Sequence, residues 1–156
     1  MMVMHAVRPD YGASLLRRIT RLEKEHSLSL EQKILLAETG TVEQALSVIT
    51  CAPVRVKVHG QCGNGVIIRR VTLVSGDTGR PLIHARSKIY CANLPAGLVR
   101  QIRQKKSGIG TIILQSKLET FRQITKMGVS RGRPYRAYRI LHGGMVAFEI
   151  REDILI

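Results

Sequence analysis

The spacing of apolar residues changes once along the chain, and this change constrains the fold more than any other feature. Over the first third, apolar residues such as Leu15, Ile19 and Leu22 recur at helical spacing. From residue 54 the period becomes two, and the stretch Val54–Val58 alternates valine with a basic residue, as half-buried strands do. Helices followed by strands and short turns predict an α+β fold, with a largely antiparallel sheet and helices packed against it.

Capping and turn residues set the limits of the predicted elements. Ser29 with Gln32, and Thr41 with Gln44, have the spacing of capping boxes and predict the starts of a second and a third helix. Predicted strands cover residues 54–59, 66–74, 81–89, 119–126, 135–142 and 145–154, and a helix covers 95–106. The strand at 66–74 is apolar on both faces and is therefore predicted to be central. An apolar run at 111–114 receives no assignment.

Length and composition predict one globular domain over residues 1–156. A chain of this length buries roughly 70% of its unfolded surface, and 44% hydrophobic with 23% charged residues is close to the globular average. No apolar run approaches the ~20 residues of a membrane helix. The N-terminal stretch 1–12 is too short and too interrupted for a signal peptide, so we expect a cytoplasmic protein.

The cysteines and histidines give no sign of a metal or a cofactor. The three cysteines are an odd set without a Cys-x-x-Cys pair, which argues against a disulfide framework and a structural zinc site. Cys51 and Cys91 lie among apolar residues, so we expect both to be packed as small hydrophobic side chains. The five histidines are scattered without metal-ligand spacing.

The formal net charge of +14 predicts an anionic partner. It arises from 25 lysines and arginines against 11 acidic residues, spread over the whole length rather than gathered in one recognition helix. Nucleic acid, anionic lipid and a carboxylate metabolite all fit such a charge. With two Phe, four Tyr and no Trp, the chain has few side chains for base stacking, which makes nucleic acid an unlikely partner. A solvated basic surface explains the charge equally well.

Glu152 is an anomaly in the last predicted strand, because it shares a face with apolar residues such as Phe148 and Ile150. A carboxylate among core positions is costly unless it is paired. The pattern alone slightly favours a frayed strand end that leaves Glu152 in solvent. If Glu152 is buried it needs a cationic partner, and Arg69 and Arg70 in the apolar strand 66–74 are the candidates.

Arg69 and Arg70 point to opposite faces of their strand, and periodicity does not choose between them. One of them is either half of a buried ion pair or a guanidinium that awaits a carboxylate ligand. The segment Gly108–Gly110 is a further candidate, since two glycines allow close approach to the backbone and its N–H groups. The end of the preceding helix explains Gly108 equally well.

Together these residues resemble the chorismate–pyruvate lyase family, and most closely its uncharacterised archaeal and bacterial branch. The match runs in order from about Leu35 to the C-terminus. It rests on Glu38-Thr39-Gly40-Thr41-Val42, Arg69-Arg70-Val71-Thr72-Leu73, Ala85-Arg86-Ser87, Leu94-Pro95, Gly108-Ile109-Gly110, Leu118-Glu119-Thr120-Phe121, Tyr138-Arg139-Ile140, Gly143-Gly144 and Glu152.

The resemblance implies an antiparallel sheet that encloses a ligand under helical flaps, a fold shared with effector-binding domains of some transcription regulators. It implies that Arg69 binds the ring carboxylate and that the backbone at Ile109 and Gly110 contacts the ligand. It also implies that Glu152 faces the hydroxyl end of the product.

Two further contacts follow from the same resemblance. One lies just before the third helix, at Thr41 and Val42. The other is a cation for the second carboxylate, either Arg122 or Lys126.

The implied activity is the elimination of pyruvate from chorismate, which leaves 4-hydroxybenzoate and requires no cofactor. Glu152 would then carry the proton that the ring loses or that the departing pyruvate gains. A non-catalytic sensor of aromatic carboxylates is the alternative. A nucleic-acid-binding protein, which charge alone suggests, is the least favoured.

Overall fold

A computed structural model describes residues 11–156 of the chain. The order of helices and strands follows the predicted change of period, with helices first and strands after residue 53. The elements are α1 (Tyr11–Glu25), α2 (Leu30–Ala37), α3 (Val42–Thr50), β1 (Val54–Cys62), β2 (Val66–Ser75), β3 (Pro81–Tyr90), α4 (Ala96–Arg103), α5 (Ile109–Gln115), β4 (Phe121–Ser130), β5 (Arg133–His142) and β6 (Met145–Ile154).

The six strands form one open antiparallel sheet in the order β1-β2-β3-β6-β5-β4. The predicted α+β class is therefore confirmed. The last strand lies between β3 and β5 and joins the meander β1–β3 to the hairpin β4–β5. This arrangement places β6 in the middle of the sheet, so its inward residues lie far from either edge.

The helices cover one face of the sheet, and the apolar residues between them form two clusters. The first cluster packs α4 and α5 against residues such as Ile67 of β2 and Ile150 of β6. The second packs α2 and α3 against Leu73 of β2 and Ile154 of β6. Each of these strands thus begins in one cluster and ends in the other, and the residues between the clusters occupy the centre of the covered face.

The capping prediction for α2 is confirmed. The Ser29 side chain accepts a hydrogen bond from the Gln32 backbone, and the Gln32 side chain accepts one from Ser29. Thr41 takes the N-cap position of α3, but its side chain makes no capping hydrogen bond, so the capping box predicted there is wrong. The Thr41 methyl group instead lies close to Gly110, 3.1 Å from where a Cβ would stand.

Strand predictions agree with the structure to within a few residues, and the main differences lie between β3 and β4. The helix predicted at 95–106 ends at Arg103, and the unassigned run at 111–114 belongs to α5. Gly108 is the N-cap of α5 rather than the end of α4. Cys51 is exposed, contrary to prediction, because it ends α3 in a left-handed conformation, whereas Cys91 packs against the first cluster.

The expectation that the N-terminal stretch is no signal peptide concerns residues of which 1–10 lie outside the described part of the chain. Between residues 11 and 156, no helix is long and apolar enough to cross a membrane. The assignment of residues 1–156 to one domain stays a prediction, as does the cytoplasmic location.

The capping box of α2 gives a test of the local structure. We expect Ser29→Ala to lower the free energy of unfolding by about 1 kcal/mol, because the backbone amide of Gln32 loses the side-chain oxygen that accepts its hydrogen bond. Chemical denaturation measures the change. Ser27→Ala is the matched control, since Ser27 is exposed and precedes the helix. Equal stability of the two variants would contradict the role given to the capping box.

Candidate functional site

A cavity lies between the helices and the centre of the sheet, where the two apolar clusters meet. It contains about 440 Å³ of space free of protein atoms, part of it at the mouth. Its walls are mostly apolar, with a few charged side chains, a composition typical of small-molecule sites. The lining residues are Val42, Glu43, Arg69, Val71, Leu73, Ala85, Ser87, Gly108, Ile109, Gly110, Arg122, Tyr138, Ile140, Ile150 and Glu152.

Small side chains on β3 explain why a cavity opens here. In the sheet register Arg69 of β2 pairs with Ser87, and Glu152 of β6 pairs with Ala85. Arg69 and Glu152 therefore flank β3, two strand spacings apart across the sheet and two residues apart along it, which places their backbones about 12 Å apart. Because Ala85 and Ser87 fill little of the volume between them, space remains between a guanidinium and a carboxylate.

Arg69 is a buried cation with donors to spare. The residue is 1% exposed, and its Nη2 donates a hydrogen bond to the Ser107 carbonyl at 2.6 Å. Its Nε and Nη1 are buried without a partner. Burial lowers the pKa of the Arg69 guanidinium, although the charge of nearby Glu43 acts to raise it. Since arginine stays protonated in proteins, the cavity contains a positive charge that lacks a full set of acceptors.

Glu152 is buried, so the frayed strand end that the pattern favoured is wrong. The residue is 3% exposed, and its cationic partner is neither Arg69 nor Arg70 but Arg136, which lies opposite it across β5 and β6. Arg136 Nε donates to Glu152 Oε2 at 2.8 Å. Tyr138 donates its hydroxyl hydrogen to Oε1 at 2.7 Å.

Arg136 and Tyr138 hold the Glu152 carboxylate in place through these hydrogen bonds. Arg136 also donates to the Glu38 carbonyl, and its guanidinium lies over the Tyr138 ring at 4.8 Å. Burial has the largest single effect and acts to lower the pKa of Arg136, but the charge and hydrogen bond of Glu152, together with Tyr138 and Glu38, raise it overall. Burial raises the pKa of Tyr138 well above its usual value, and Glu152 raises it further. Tyr138 is therefore a neutral hydrogen-bond donor at physiological pH.

Glu43 reaches the cavity from α3 and lies against the start of α5. A Cβ at Gly108 would stand 2.1 Å from Glu43 Oε1, and a Cβ at Gly110 would stand 2.6 Å from Oε2. A side chain at either position would displace the carboxyl group of Glu43, so the two glycines allow this group to lie against the start of α5. As predicted, a polar group lies close to the backbone of this segment. That group is the Glu43 carboxyl group of the protein itself.

The environment of Glu43 favours its protonated form. Burial raises the pKa of Glu43, and the charge of Glu152 raises it further. The backbone N–H groups of Glu43 and Thr111 and the charge of Arg122 act in the opposite direction without cancelling the shift. Glu43 Oε2 is buried and accepts no hydrogen bond. The cavity thus contains two carboxyl groups, of which only Glu152 has a partner for each oxygen.

Six of the seven residues singled out from the sequence meet at this cavity, and their roles stay predictions. They are Val42, Arg69, Ile109, Gly110, Arg122 and Glu152. Thr41 lies beside the cavity without lining it. Lys126, the alternative to Arg122, is exposed.

The sequence reasoning missed three polar residues of the site, Glu43, Arg136 and Tyr138. Alternation on β5 carries a signal for Arg136, since this arginine shares a face with Pro134, Tyr138 and Ile140. Glu43 has no such signal, because only the packing of α3 against α5 brings it to the cavity. Within residues 11–156, no group of three His, Cys, Asp or Glu side chains is placed to hold a metal ion.

Comparison with known proteins adds distant relatives to this geometry. No protein-family profile matches the chain. The chain is 26% identical over 161 aligned residues to the protein named chorismate pyruvate-lyase in Mycobacterium tuberculosis strain H37Rv, and the alignment covers 82% of this chain and 81% of the relative. The protein of that name in Mycobacterium bovis is similar to the same degree. This distant similarity supports the resemblance to the chorismate–pyruvate lyase family. It also supports the general assignment of a lyase, without specifying the reaction.

The ion pair between Arg136 and Glu152 should be a major determinant of stability. We expect Arg136→Met to lower the free energy of unfolding by about 3 kcal/mol or more, because the Glu152 carboxylate would stay buried without its cation. In the double variant Arg136→Met/Glu152→Gln the loss should be at least about 1 kcal/mol smaller than the sum of the single losses. Denaturant titration of all four proteins measures the coupling.

An exposed pair across the same two strands is the matched control. Arg139 Nε lies 3.6 Å from Glu149 Oε1, and the two side chains are 48% and 36% exposed. Arg139→Met should cost under about 1 kcal/mol. Similar losses of stability for Arg136→Met and Arg139→Met would show that burial does not increase the contribution of the pair between Arg136 and Glu152.

Glu43 should make the protein less stable as the pH rises. Its folded pKa lies above the unfolded value of 4.5, so the folded state holds more protons between these two values. The stabilisation from this group is thus complete below the unfolded pKa and is lost as the pH rises through the folded pKa. Glu43→Gln should remove this dependence, so its melting temperature should exceed that of the wild type at neutral pH. A wild-type advantage at neutral pH would contradict the assignment.

Proposed function

We propose that this protein eliminates pyruvate from chorismate and leaves 4-hydroxybenzoate. The observation that carries the proposal is the presence, in one cavity, of a buried arginine with unused donors and a fixed carboxylate on the far side of β3. An aromatic ring with a carboxylate at one end and a hydroxyl at the other suits such a pair. The names of the distant relatives point to the same substrate.

Arg69 anchors the ring carboxylate in this proposal. A guanidinium donates two parallel hydrogen bonds to a carboxylate, and its positive charge, already desolvated, strengthens them. The backbone of Ile109 and Gly110 borders the same part of the cavity. Arg122, which lies on β4 with its guanidinium 5.6 Å from the Tyr138 ring, binds the carboxylate of the enolpyruvyl group.

Glu152 acts at the opposite end of the ring. Elimination breaks the ether bond between the ring and the enolpyruvyl oxygen, whose electrons leave with the enolpyruvyl group. It also breaks a ring C–H bond, whose electrons complete the aromatic system. Glu152 accepts that proton and returns it to the methylene carbon of the leaving group, which becomes the methyl group of pyruvate. Arg136 and Tyr138 hold the carboxylate in the orientation that the transfer requires.

Aromatisation makes the reaction strongly favourable, so the site mainly positions the dianion and handles one proton. The apolar side chains of Val71, Leu73, Ile140 and Ile150 exclude water from the ring. Their contribution is to keep the charged contacts in a medium of low dielectric constant, where those contacts are strongest.

Incubation of the purified protein with chorismate tests the proposal, with pyruvate and 4-hydroxybenzoate measured together. We expect both products in equal amounts. Arg69→Ala should reduce kcat/KM by about 100-fold or more, because the buried anchor for the carboxylate is lost. Arg70→Ala is the matched control, since Arg70 is the next residue on β2 and lies exposed on the other face of the sheet. Equal effects of the two substitutions would exclude the proposed anchor.

The role of Glu152 is tested separately from binding. Glu152→Gln should lower kcat by about 100-fold or more while 4-hydroxybenzoate still binds, because proton transfer is lost and the shape of the site is kept. Circular dichroism confirms that the variant is folded. Unchanged turnover in this variant would remove Glu152 from the chemistry. Binding of 4-hydroxybenzoate by wild-type protein without any turnover of chorismate would instead identify a sensor.

A further inference from the structure

The cavity contains polar atoms that the fold leaves unsatisfied, and they belong to two side chains. Arg69 Nε and Nη1 have no acceptor, and Glu43 Oε2 accepts no hydrogen bond. The other carboxyl group of the cavity differs, since Arg136 and Tyr138 occupy both oxygens of Glu152. Unsatisfied buried polar atoms are uncommon in folded proteins, and three around one cavity indicate contacts that a ligand completes.

A carboxylate bound to Arg69 would share the cavity with Glu43. The charged groups that face Glu43 are Arg69 from β2, Arg122 from β4 and Glu152 from β6. From β5 the cavity receives the hydroxyl of Tyr138, which is neutral, and α5 contains no titratable side chain. Two anions in a desolvated site repel each other strongly, so an ionised Glu43 would oppose the ligand.

We propose that Glu43 binds the ligand as a neutral acid, with its O–H donating a hydrogen bond to a ligand carboxylate, so that binding takes up a proton. The inference rests on the ligand class of the proposed function but not on turnover. It gives Glu43 a role in positioning and specificity, distinct from the role of Glu152. The only bond that forms is the O–H bond of Glu43, and its proton comes from solvent.

The charge of the cavity then matches that of a dianion. Arg136 and Glu152 cancel each other as an ion pair, which leaves the positive charges of Arg69 and Arg122. With Glu43 neutral, these two charges balance the two carboxylates of a dianionic ligand. With Glu43 ionised, its carboxylate would compete with the ligand carboxylate for the positive charge of Arg69. Protonation of Glu43 therefore adapts the cavity to a dianion and disfavours neutral analogues.

Calorimetric titration with 4-hydroxybenzoate tests this inference without any need for turnover. Between about pH 5.5 and 8 the carboxyl group of this ligand is ionised and its phenol is not. We expect the affinity of the wild type to fall as the pH rises through the folded pKa of Glu43, approaching about tenfold per pH unit. Titrations in two buffers with different ionisation enthalpies should show the uptake of up to one proton per ligand bound.

Two variants assign the proton to Glu43. Glu43→Gln keeps the shape of the neutral acid and should bind with an affinity that is independent of pH, exceeding that of the wild type at high pH. Glu31→Gln, at an exposed position of α2, is the matched control and should keep the wild-type slope. A flat wild-type profile without proton uptake overturns the inference, and so does the same slope in Glu43→Gln as in the wild type.

The outcomes also separate this inference from the proposed function. Proton-linked binding without turnover of chorismate supports the role of Glu43 and removes the lyase activity. Turnover of chorismate together with pH-independent binding supports the lyase activity and removes the role of Glu43. If neither wild type nor Glu43→Gln binds 4-hydroxybenzoate at any pH, both proposals fall.

Discussion

The buried ion pair between Arg136 and Glu152 is the interaction on which the rest of the structure depends. It joins β6 to β5 in the middle of the sheet. The two side chains lie between the two apolar clusters. Arg136 also donates to the Glu38 carbonyl, which ties the segment after α2 to the sheet. Because each charge is the main partner of the other, the register of β6 against β5 cannot slip without exposing two unpaired charges to an apolar interior.

The two fully buried arginines of the covered face differ in how well their donors are satisfied. Arg136 has a carboxylate, a carbonyl and an aromatic ring as partners and one buried donor, Nη2, without an acceptor, whereas Arg69 has one carbonyl and two such donors. The difference separates a structural charge from one that is available to a ligand. The small residues of β3, Ala85 and Ser87, keep the space in front of Arg69 open, so the same register that fixes the ion pair also shapes the cavity.

Sequence patterns predicted the strands well because alternation and glycine-rich turns are local signals. The choice between Arg69 and Arg70 was beyond them, since β2 is apolar on both faces and only the position of the helices decides which face is covered. The partner of Glu152 depends on strand order. β6 lies between β3 and β5, and β5 brings Arg136 opposite Glu152, which no local pattern reveals. The exposure of Glu152 was misjudged for a related reason, because the C-terminal strand is central rather than peripheral.

Glu43 shows the limit of sequence reasoning most clearly. Its presence in the cavity depends on the packing of α3 against α5 and on the absence of side chains at Gly108 and Gly110. The two glycines predict that another group lies close to the backbone here, but the sequence does not say which group it is. Only the three-dimensional arrangement shows that a carboxyl group of the protein lies where a ligand oxygen was expected.

A crystal structure of the protein with 4-hydroxybenzoate would show whether Arg69 and Glu152 hold the two ends of the ligand. We expect the ligand to lie in the cavity above Ala85 and Ser87. Its carboxylate should contact the guanidinium of Arg69, and its hydroxyl should point toward Glu152. A ligand bound outside the cavity, or one that directs its carboxylate toward Glu152, would contradict the account.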